Sequence, residues 1–188
     1  MVERVAIALL RRDGGTQIRA FNPLVARRYA EMMICGTHFP PVCAFSDGRD
    51  LWLADGFHRI SAALQTDEVA IAVELHRGTL REAVSHACRA NSGWGDWRTA
   101  NDKRNAVTTL LNICPQWAER SDRQISRACG VSPDLVGTCR KAGLGICSAI
   151  RIVTRGGRDF PMNVAGIRGN SANRASIEAA RLKGRPNA

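Results

Sequence analysis

The chain has 188 residues, of which 45% are hydrophobic, enough for one ordinary core or for two small cores joined by a linker. No stretch reaches the roughly 18 consecutive apolar residues of a membrane span, and the apolar run at 5–10 is too short for a signal peptide, so we expect a cytoplasmic protein with no membrane partner. The net charge of +10 divides unevenly, with +1 in residues 1–92, +3 in 93–141 and +6 in 142–188. Such a basic rear half favours a polyanionic partner, with a solvated basic tail as the alternative.

The first 92 residues alternate short apolar runs with amphipathic segments, a pattern typical of an α/β domain. A third helix is predicted to begin after Thr79, which can cap it. The other predicted elements are strands at Val5–Leu10, Val42–Phe45, Leu51–Ala54 and Val69–Leu75, and helices at Leu24–Cys35 and Phe57–Leu64.

After Asn91 the strand signals stop, and the Gly- and Ser-containing stretch at 92–96 is predicted to be a linker. A helical domain over 93–142 follows. Thr99 or Asn101 can cap its first helix, which Pro115 ends. Two short helices are predicted next, at Asp122–Cys129 and Pro133–Lys141.

The third segment, 143–188, is rich in Gly, Arg, Ser and Asn. Its Gly156-Gly157 pair favours a β-hairpin between Ile150–Thr154 and Asp159–Met162. From Asn170 onward we expect disorder or a frayed basic helix. The predicted fold class is therefore α+β, with an α/β domain, an all-α domain and a basic tail that carries a hairpin.

Seven cysteines are an odd number without the regular spacing of a disulfide framework, so we expect reduced thiols. The tightest group with metal-ligand chemistry is Cys35, His38 and Cys43, and it lacks a CxxC pair. Packed cysteines are the better interpretation of this group, and no metal site is predicted.

The two short helices have the pattern of a helix-turn-helix. Gly130 suits the left-handed turn, Ser126 is small where two helices approach, and Ser132 can cap the second helix with Pro133 as its first residue. The alternative is an ordinary helical hairpin within a bundle. In a helix-turn-helix the second helix enters the major groove.

Candidate DNA contacts follow from that geometry. We expect Thr138 and Asp134, on the exposed face of the second helix, to approach base edges. Arg155 and Arg158 flank the hairpin turn and are expected to meet phosphates, as a wing beside the duplex would. We expect Asp134, Gly137, Thr138, Arg140 and Lys141 on the exposed face of the second helix. The full predicted DNA-binding set is Arg123, Ser132, Asp134, Thr138, Arg140, Lys141, Arg155 and Arg158.

The strand at 51–54 leads directly into the turn Asp55-Gly56-Phe57-His58-Arg59 and then into an apolar helix. A glycine at such a turn allows backbone N–H groups at the helix N-terminus to face a phosphate. His58 and Arg59 would add cationic donors, and Asp55 either caps the helix or binds a phosphate-bound Mg²⁺. The alternative is a cap at Asp55 with solvated His58 and Arg59.

These motifs resemble the ParB N-terminal domain, and more closely the short plasmid- and phage-type ParB-like proteins. The resemblance covers about residues 16–140 and is carried by 17–19, 29–33, 39–42, 52–63, 98–111 and 121–136. It implies the fold shared with sulfiredoxin and a pocket for CTP or ATP with Mg²⁺. Gly56, His58 and Arg59 match the family's phosphate-binding turn, and Arg19 and Pro41 match other positions lining the pocket. Phe57 stands where sulfiredoxin-like enzymes carry a reactive cysteine, so the resemblance does not imply sulfinate reduction.

The resemblance implies a DNA-binding protein of the partition or transcription-regulator type, with duplex DNA and a nucleoside triphosphate as partners and a homodimer as one option for its assembly. The alternatives are an enzyme of the same fold, a phosphotransferase or nuclease centred on Asp55, His58 and Arg59, and an interaction module whose pocket has decayed. The lack of a clear second carboxylate motif near the turn favours binding over metal-dependent cleavage.

Overall fold

The computed structural model describes residues 1–90, 98–142 and 150–164. The chain divides into two compact units, Met1–Cys147 and Ser148–Ala188. The predicted linker at 92–96 and the predicted tail from Asn170 lie outside the described residues. The domain boundary between residues 92 and 93 stays a prediction.

The first unit combines a mixed sheet with helices, which confirms the predicted α+β class. Its strands are β1 Val2–Ala6, β2 Leu10–Arg11, β3 Val42–Ser46, β4 Leu51–Asp55 and β5 Ala70–Arg77. Its helices are α1 Pro23–Ile34, α2 Phe57–Gln65, α3 Leu80–Arg89, α4 Ala100–Ile113, α5 Asp122–Cys129 and α6 Pro133–Lys141, with 3₁₀ turns at Ile7–Leu9 and Pro115–Trp117.

The five strands lie in the order β1-β5-β3-β4-β2, with antiparallel pairs β1/β5 and β3/β4 and parallel pairs β3/β5 and β2/β4. The predicted single strand Val5–Leu10 is wrong, because the chain crosses here from one edge of the sheet to the other. The Ile7–Leu9 turn makes that crossing, and the N–H of Ile7 donates to the Val69 carbonyl at 2.9 Å.

Each face of the sheet packs against helices. On one face Val42, Leu53 and Val73 are buried together with Ile60 of α2. On the other face Trp52 and Ala54 of β4 pack against Ala83 of α3. Strand β4 is therefore covered on both sides, and this fixes the position of the turn that follows it.

Helices α3 to α6 share one core. Val84 and Cys88 of α3 are buried in the same cluster as Leu110 of α4, Ile125 of α5 and Val136 of α6. Local signals set the ends of these helices: Thr79 and Thr99 each form a capping box, with Glu82 and Asp102 respectively. Both predicted caps at Thr79 and Thr99 are therefore confirmed.

The second unit is the hairpin β6 Ile150–Arg155 and β7 Arg158–Asn163. Gly156 and Gly157 form its two-residue turn with φ of +55° and +76°, the left-handed conformation that a type I′ turn requires at both positions. The predicted hairpin is confirmed within one residue at each end.

Among residues 1–90, 98–142 and 150–164, the six cysteines carry free thiols. In the same ranges no group of three or more His, Cys, Asp or Glu side chains is placed to hold a metal ion. No helix in the described parts of the chain is long and apolar enough to cross a membrane.

Candidate functional site

A cavity of about 430 Å³ lies between α1, the β4–α2 turn and α3. The described residues around it include four arginines and one carboxylate, Asp55, so the lining has a clear excess of positive charge. The lining residues are Thr16, Gln17, Ile18, Arg19, Val25, Arg28, Tyr29, Ala54, Asp55, Gly56, Phe57, His58, Arg59, Ala87, Ala90 and Arg98. We call this space the anion cavity.

Gly56 is the N-cap residue of α2, and its φ of +106° is one that L side chains rarely adopt. A Cβ at this position would come within 2.7 Å of the Val42 Cβ. The N-cap has no side-chain hydrogen bond, so of the two roles considered for Asp55 the helix cap is not observed. The first-turn N–H groups of α2 have no partner within the helix, an arrangement suited to phosphate.

Asp55 instead pairs with Arg59, whose Nη2 donates to the Asp55 Oδ2 at 2.8 Å. The Nη1 of Arg59 donates to the carbonyls of Pro40 and Pro41 at 2.6 and 2.7 Å. Three acceptors therefore orient this guanidinium at the cavity wall. Pro41 is not among the lining residues and reaches the site through its carbonyl.

His58 joins the N-termini of two helices. Its Nε2 accepts from the backbone N–H of Asn22, the N-cap of α1, at 3.0 Å, and its ring stacks on Phe21 with centroids 5.0 Å apart. Accepting at Nε2 requires that nitrogen to be deprotonated. This nitrogen is therefore an acceptor, whereas the sequence predicted a cationic donor at His58.

Arg19 lies on a segment held by α4. The N–H of Ala20 donates to the Asp102 Oδ1 at 3.4 Å, and the Asp102 Oδ2 accepts from the Thr99 N–H at 2.9 Å. Burial raises the pKa of Asp102, but hydrogen bonds from Thr99 and Ala20 and the nearby Arg19 outweigh it and hold the pKa below its ordinary value. The ionised carboxylate fixes this wall of the cavity.

Sequence reasoning missed Arg28, Tyr29 and Arg98. Arg98 is only 7% exposed, and its Nη1 donates to the carbonyls of Cys88 and Cys129 at 3.1 and 2.8 Å. Its Nη2 is buried without a hydrogen-bond partner among the described residues. Arg98 lies 39 positions after Arg59 in the chain, so no local pattern could have linked the two.

Helices α5 and α6 form a second candidate site, which we call the α5–α6 pair. Ser121 makes a capping box with Gln124 and begins α5, and Gly130 ends it at φ +61°. The Ser126 Oγ donates to the Val131 carbonyl at 2.5 Å across the turn, and the Ser132 hydroxyl caps α6 at the Leu135 N–H. The predicted bounds of both helices and the roles of Gly130 and Ser132 in the turn are confirmed.

The exposed side chains of this pair include Arg123, Ser132, Asp134, Thr138 and Lys141, and Gly137 is half-buried. The Thr138 hydroxyl donates to the Asp134 carbonyl at 2.9 Å, which leaves its oxygen able to accept a hydrogen bond.

The expectation that Arg140 is exposed is wrong. Its side chain is 1% exposed, with the Nε 2.9 Å from the Asp122 Oδ1 in an ion pair. Its Nη1 and Nη2 donate to the carbonyls of Ala118 and Arg120, both at 2.8 Å. Arg140 therefore ties the end of α6 to the segment before α5.

In the hairpin, Arg155 and Arg158 are exposed and stand directly opposite each other beside the turn. Like charges at opposed positions destabilise a strand pair. An anion bound at the turn would relieve that repulsion.

No protein-family model matches this chain. A "Streptomycin biosynthesis operon possible regulatory protein" of Streptomyces griseus is 33% identical over 110 residues, which is 58% of this chain and 31% of the relative. The chain thus spans about a third of the length of that curated relative.

Solved structures similar to this chain include sulfiredoxin from Arabidopsis thaliana, with a TM-score of 0.40, 17% identity, and coverage of 47% of this chain and 98% of that chain. They also include the C-terminally truncated chromosome-partitioning protein ParB from Caulobacter crescentus. Its complex with CTP-γ-S has a TM-score of 0.45 and 13% identity over 74% of this chain and 76% of that chain. Its complex with the centromeric parS site has a TM-score of 0.48 and 13% identity over 73% and 69%.

Proposed function

We propose that this chain is a ParB-like DNA-binding protein, of the partition or transcription-regulator type, whose α5–α6 pair contacts duplex DNA. The observation that carries the proposal is the α5–α6 pair, in which a left-handed glycine joins two capped helices and α6 presents a polar face. A short pair of this kind places its second helix in a major groove. The curated relative is described as a possible regulatory protein, which agrees with this function.

In this proposal the exposed residues divide by chemistry. Arg123 and Lys141 neutralise phosphates, and the exposed Ser132 at the start of α6 adds a hydroxyl that can contact one. The Asp134 carboxylate can accept from the N4 amino group of cytosine, and the Thr138 methyl can contact thymine. Residues 93–188 carry a net charge of +9, which favours any duplex through counterion release.

We further propose that the anion cavity binds a nucleoside triphosphate, CTP or ATP with Mg²⁺. Its volume of about 430 Å³ lies in the range of small-molecule sites, and four arginines line it with one carboxylate. Arginine recognises phosphate oxygens in a bidentate manner, and the N–H groups at the start of α2 add donors. Asp55 is the lining carboxylate that fits a phosphate-bound Mg²⁺.

DNA binding is tested by measuring duplex affinity across a salt series. Lys141→Ala and Arg123→Ala should each reduce the slope of log affinity against log salt by about 0.9, the share of one neutralised phosphate. Arg49→Ala, at an exposed loop position outside the α5–α6 pair, is the control and should leave the slope unchanged. A flat salt response, or no binding at low salt, would remove the proposed function.

Nucleotide binding is tested by calorimetric titration with CTP and with ATP, each with Mg²⁺. Arg28→Ala should weaken binding by about tenfold or more, because a charge-assisted hydrogen bond is lost. Arg27→Ala is the matched control, since the neighbouring Arg27 is 75% exposed, pairs with Glu31 and does not line the cavity. If the native chain shows no heat with either nucleotide, the pocket proposal fails and the DNA-binding proposal stands alone.

A further inference from the structure

Another concave surface lies between α3, the Pro115–Trp117 turn and α5, and we call it the arginine groove. It is an open groove with a volume of about 840 Å³. Its lining residues are Ser85, Arg89, Gln116, Trp117, Arg120, Gln124, Arg127 and Ala128. None of them lines the anion cavity, and none belongs to α6.

The charge of the groove is positive. Arg89 and Arg127 are exposed, Arg120 is half-buried, and no carboxylate is among the described lining residues. The nearby carboxylate of Asp122 is paired with Arg140. Arg89 and Arg127 therefore favour a ligand that brings negative charge.

The floor of the groove is apolar. Trp117 and Ala128 are partly buried and pack against the core shared by α3 to α6, with their remaining surface open to the groove. Covering this surface releases water from an aromatic ring, and aromatic and arginine side chains are the groups that most often dominate binding at interfaces. The ligand must therefore also carry apolar groups.

The walls of the groove are held in place before any ligand arrives. The Gln124 side chain accepts from the Ser121 N–H at 3.1 Å in the capping box of α5. The carbonyl of Arg120 accepts from the buried Arg140 at 2.8 Å. A preformed surface loses less conformational entropy on binding.

We propose that the arginine groove docks an acidic, amphipathic segment of a partner protein. Such a segment places carboxylates on Arg89 and Arg127 and an apolar side chain on Trp117, as an amphipathic helix does in a hydrophobic groove. Duplex DNA has the charge, but its base faces are stacked, and the thymine methyl groups in its major groove are small compared with the apolar surface of Trp117. A second copy of this chain, with a net charge of +10, would oppose the groove's own charge. The proposal goes beyond DNA and nucleotide binding and depends on neither.

The test uses fluorescence anisotropy with the full chain and three labelled probes. The first is a peptide with Glu and Asp on one helical face and Leu and Trp on the other. The second is the same peptide with Leu and Trp replaced by Ser, and the third is oligothymidine. The native chain should bind the first probe about tenfold more tightly than the second, because the floor of the groove contributes. It should bind the first probe more tightly than oligothymidine.

The double variant Arg89→Glu with Arg127→Glu should weaken binding of the first probe by about tenfold or more, because opposed like charges replace two ion pairs. Arg49→Glu with Arg77→Glu is the matched control: both positions are exposed, lie outside the groove and carry the same change in charge. Trp117→Ser should bring the first probe to the affinity of the second. If that variant does not fold, the comparison of the two double arginine variants tests the proposal.

Three results would overturn the proposal: no binding of the acidic peptide by the native chain, an equal loss in the control pair, or tighter binding of oligothymidine that the groove variant removes. The last result would identify a single-strand groove. Duplex affinity, measured on the same variants, reports separately on the function proposed for the α5–α6 pair.

Discussion

The β4–α2 turn and the end of α6 contain the same local arrangement with different surroundings. Arg59 donates to two backbone carbonyls and pairs with Asp55, and Arg140 donates to two backbone carbonyls and pairs with Asp122. The Arg59 side chain is 13% exposed and lines the anion cavity, whereas that of Arg140 is 1% exposed and lies in protein. Partners of the same kind therefore do not decide whether an arginine can contact a ligand. What decides it is whether the guanidinium borders open space.

The difference arises from what surrounds each guanidinium. Beside Arg59, Gly56 leaves the start of α2 without a side-chain cap, and Arg19 and Arg28 line the same cavity. Beside Arg140, the segment from Ala118 to Asp122 packs directly over the end of α6. The first arginine can serve a ligand, and the second stabilises the fold.

Removing Arg140 should have the largest effect and tests this difference directly. Arg140→Met leaves the Asp122 carboxylate without its cation and two carbonyls without donors, so we expect the free energy of unfolding to fall by about 3 kcal/mol. Urea unfolding measures this loss. The salt slope of duplex binding should not change for the folded fraction. A reduced slope with normal stability would show that Arg140 contacts phosphate after all.

Two glycines provide the next comparison. Gly56→Ala forces a side chain into φ +106° against Val42, and we expect it to cost about 2 kcal/mol of stability and to weaken nucleotide binding. Gly137 lies in α6, where the nearest atom to an added Cβ is the Asp122 Oδ2 at an ordinary 3.8 Å. Gly137→Ala should therefore stabilise the chain by about 0.5–1 kcal/mol. Thermal melts of both variants show whether the signs are opposite.

Residues that contact bases and residues that contact phosphates should have different effects on duplex binding when they are replaced. Thr138→Ala should change the preference between sequences by about 1–3 kcal/mol at one base pair if its methyl or oxygen reaches a base. Arg155→Ala with Arg158→Ala should instead weaken binding to all duplexes by a similar factor and lower the salt slope. Selection from a randomised duplex pool distinguishes these effects. Our division of roles is reversed if only the hairpin variant alters the selected sequence.

The smallest expected effect concerns Asp102, which secures the segment that carries Arg19. Its folded-state pKa is lowered, so its contribution is present above the ordinary aspartate pKa of about 3.9 and is lost as pH falls through the folded-state pKa. Asp102→Asn should cost about 0.5–1 kcal/mol at neutral pH, because a charge at the start of α4 is removed. Urea unfolding at several pH values should show the two proteins converging below about pH 4. A constant difference would exclude ionisation as the cause.

Features that depend on neighbours in the chain could be predicted from the sequence. Ser121 begins α5, Gly130 ends it and Ser132 begins α6, and each acts on backbone groups only a few positions away. Gly156-Gly157 specifies the hairpin turn. The predicted pocket residues also converge in part. Arg19, Asp55, Gly56, His58 and Arg59 line one cavity, while Pro41 contacts it only through Arg59.

Only the tertiary structure decided which polar groups are already used within the protein. His58 accepts from Asn22, 36 positions away, and Arg140 donates to Ala118, 22 positions away. Arg98 is likewise held beside the cavity by hydrogen bonds that its guanidinium donates to one carbonyl of α3 and one of α5. Caps and turns are formed by a few adjacent residues and can be read from them, whereas burial and hydrogen-bond pairing depend on which distant segments pack together.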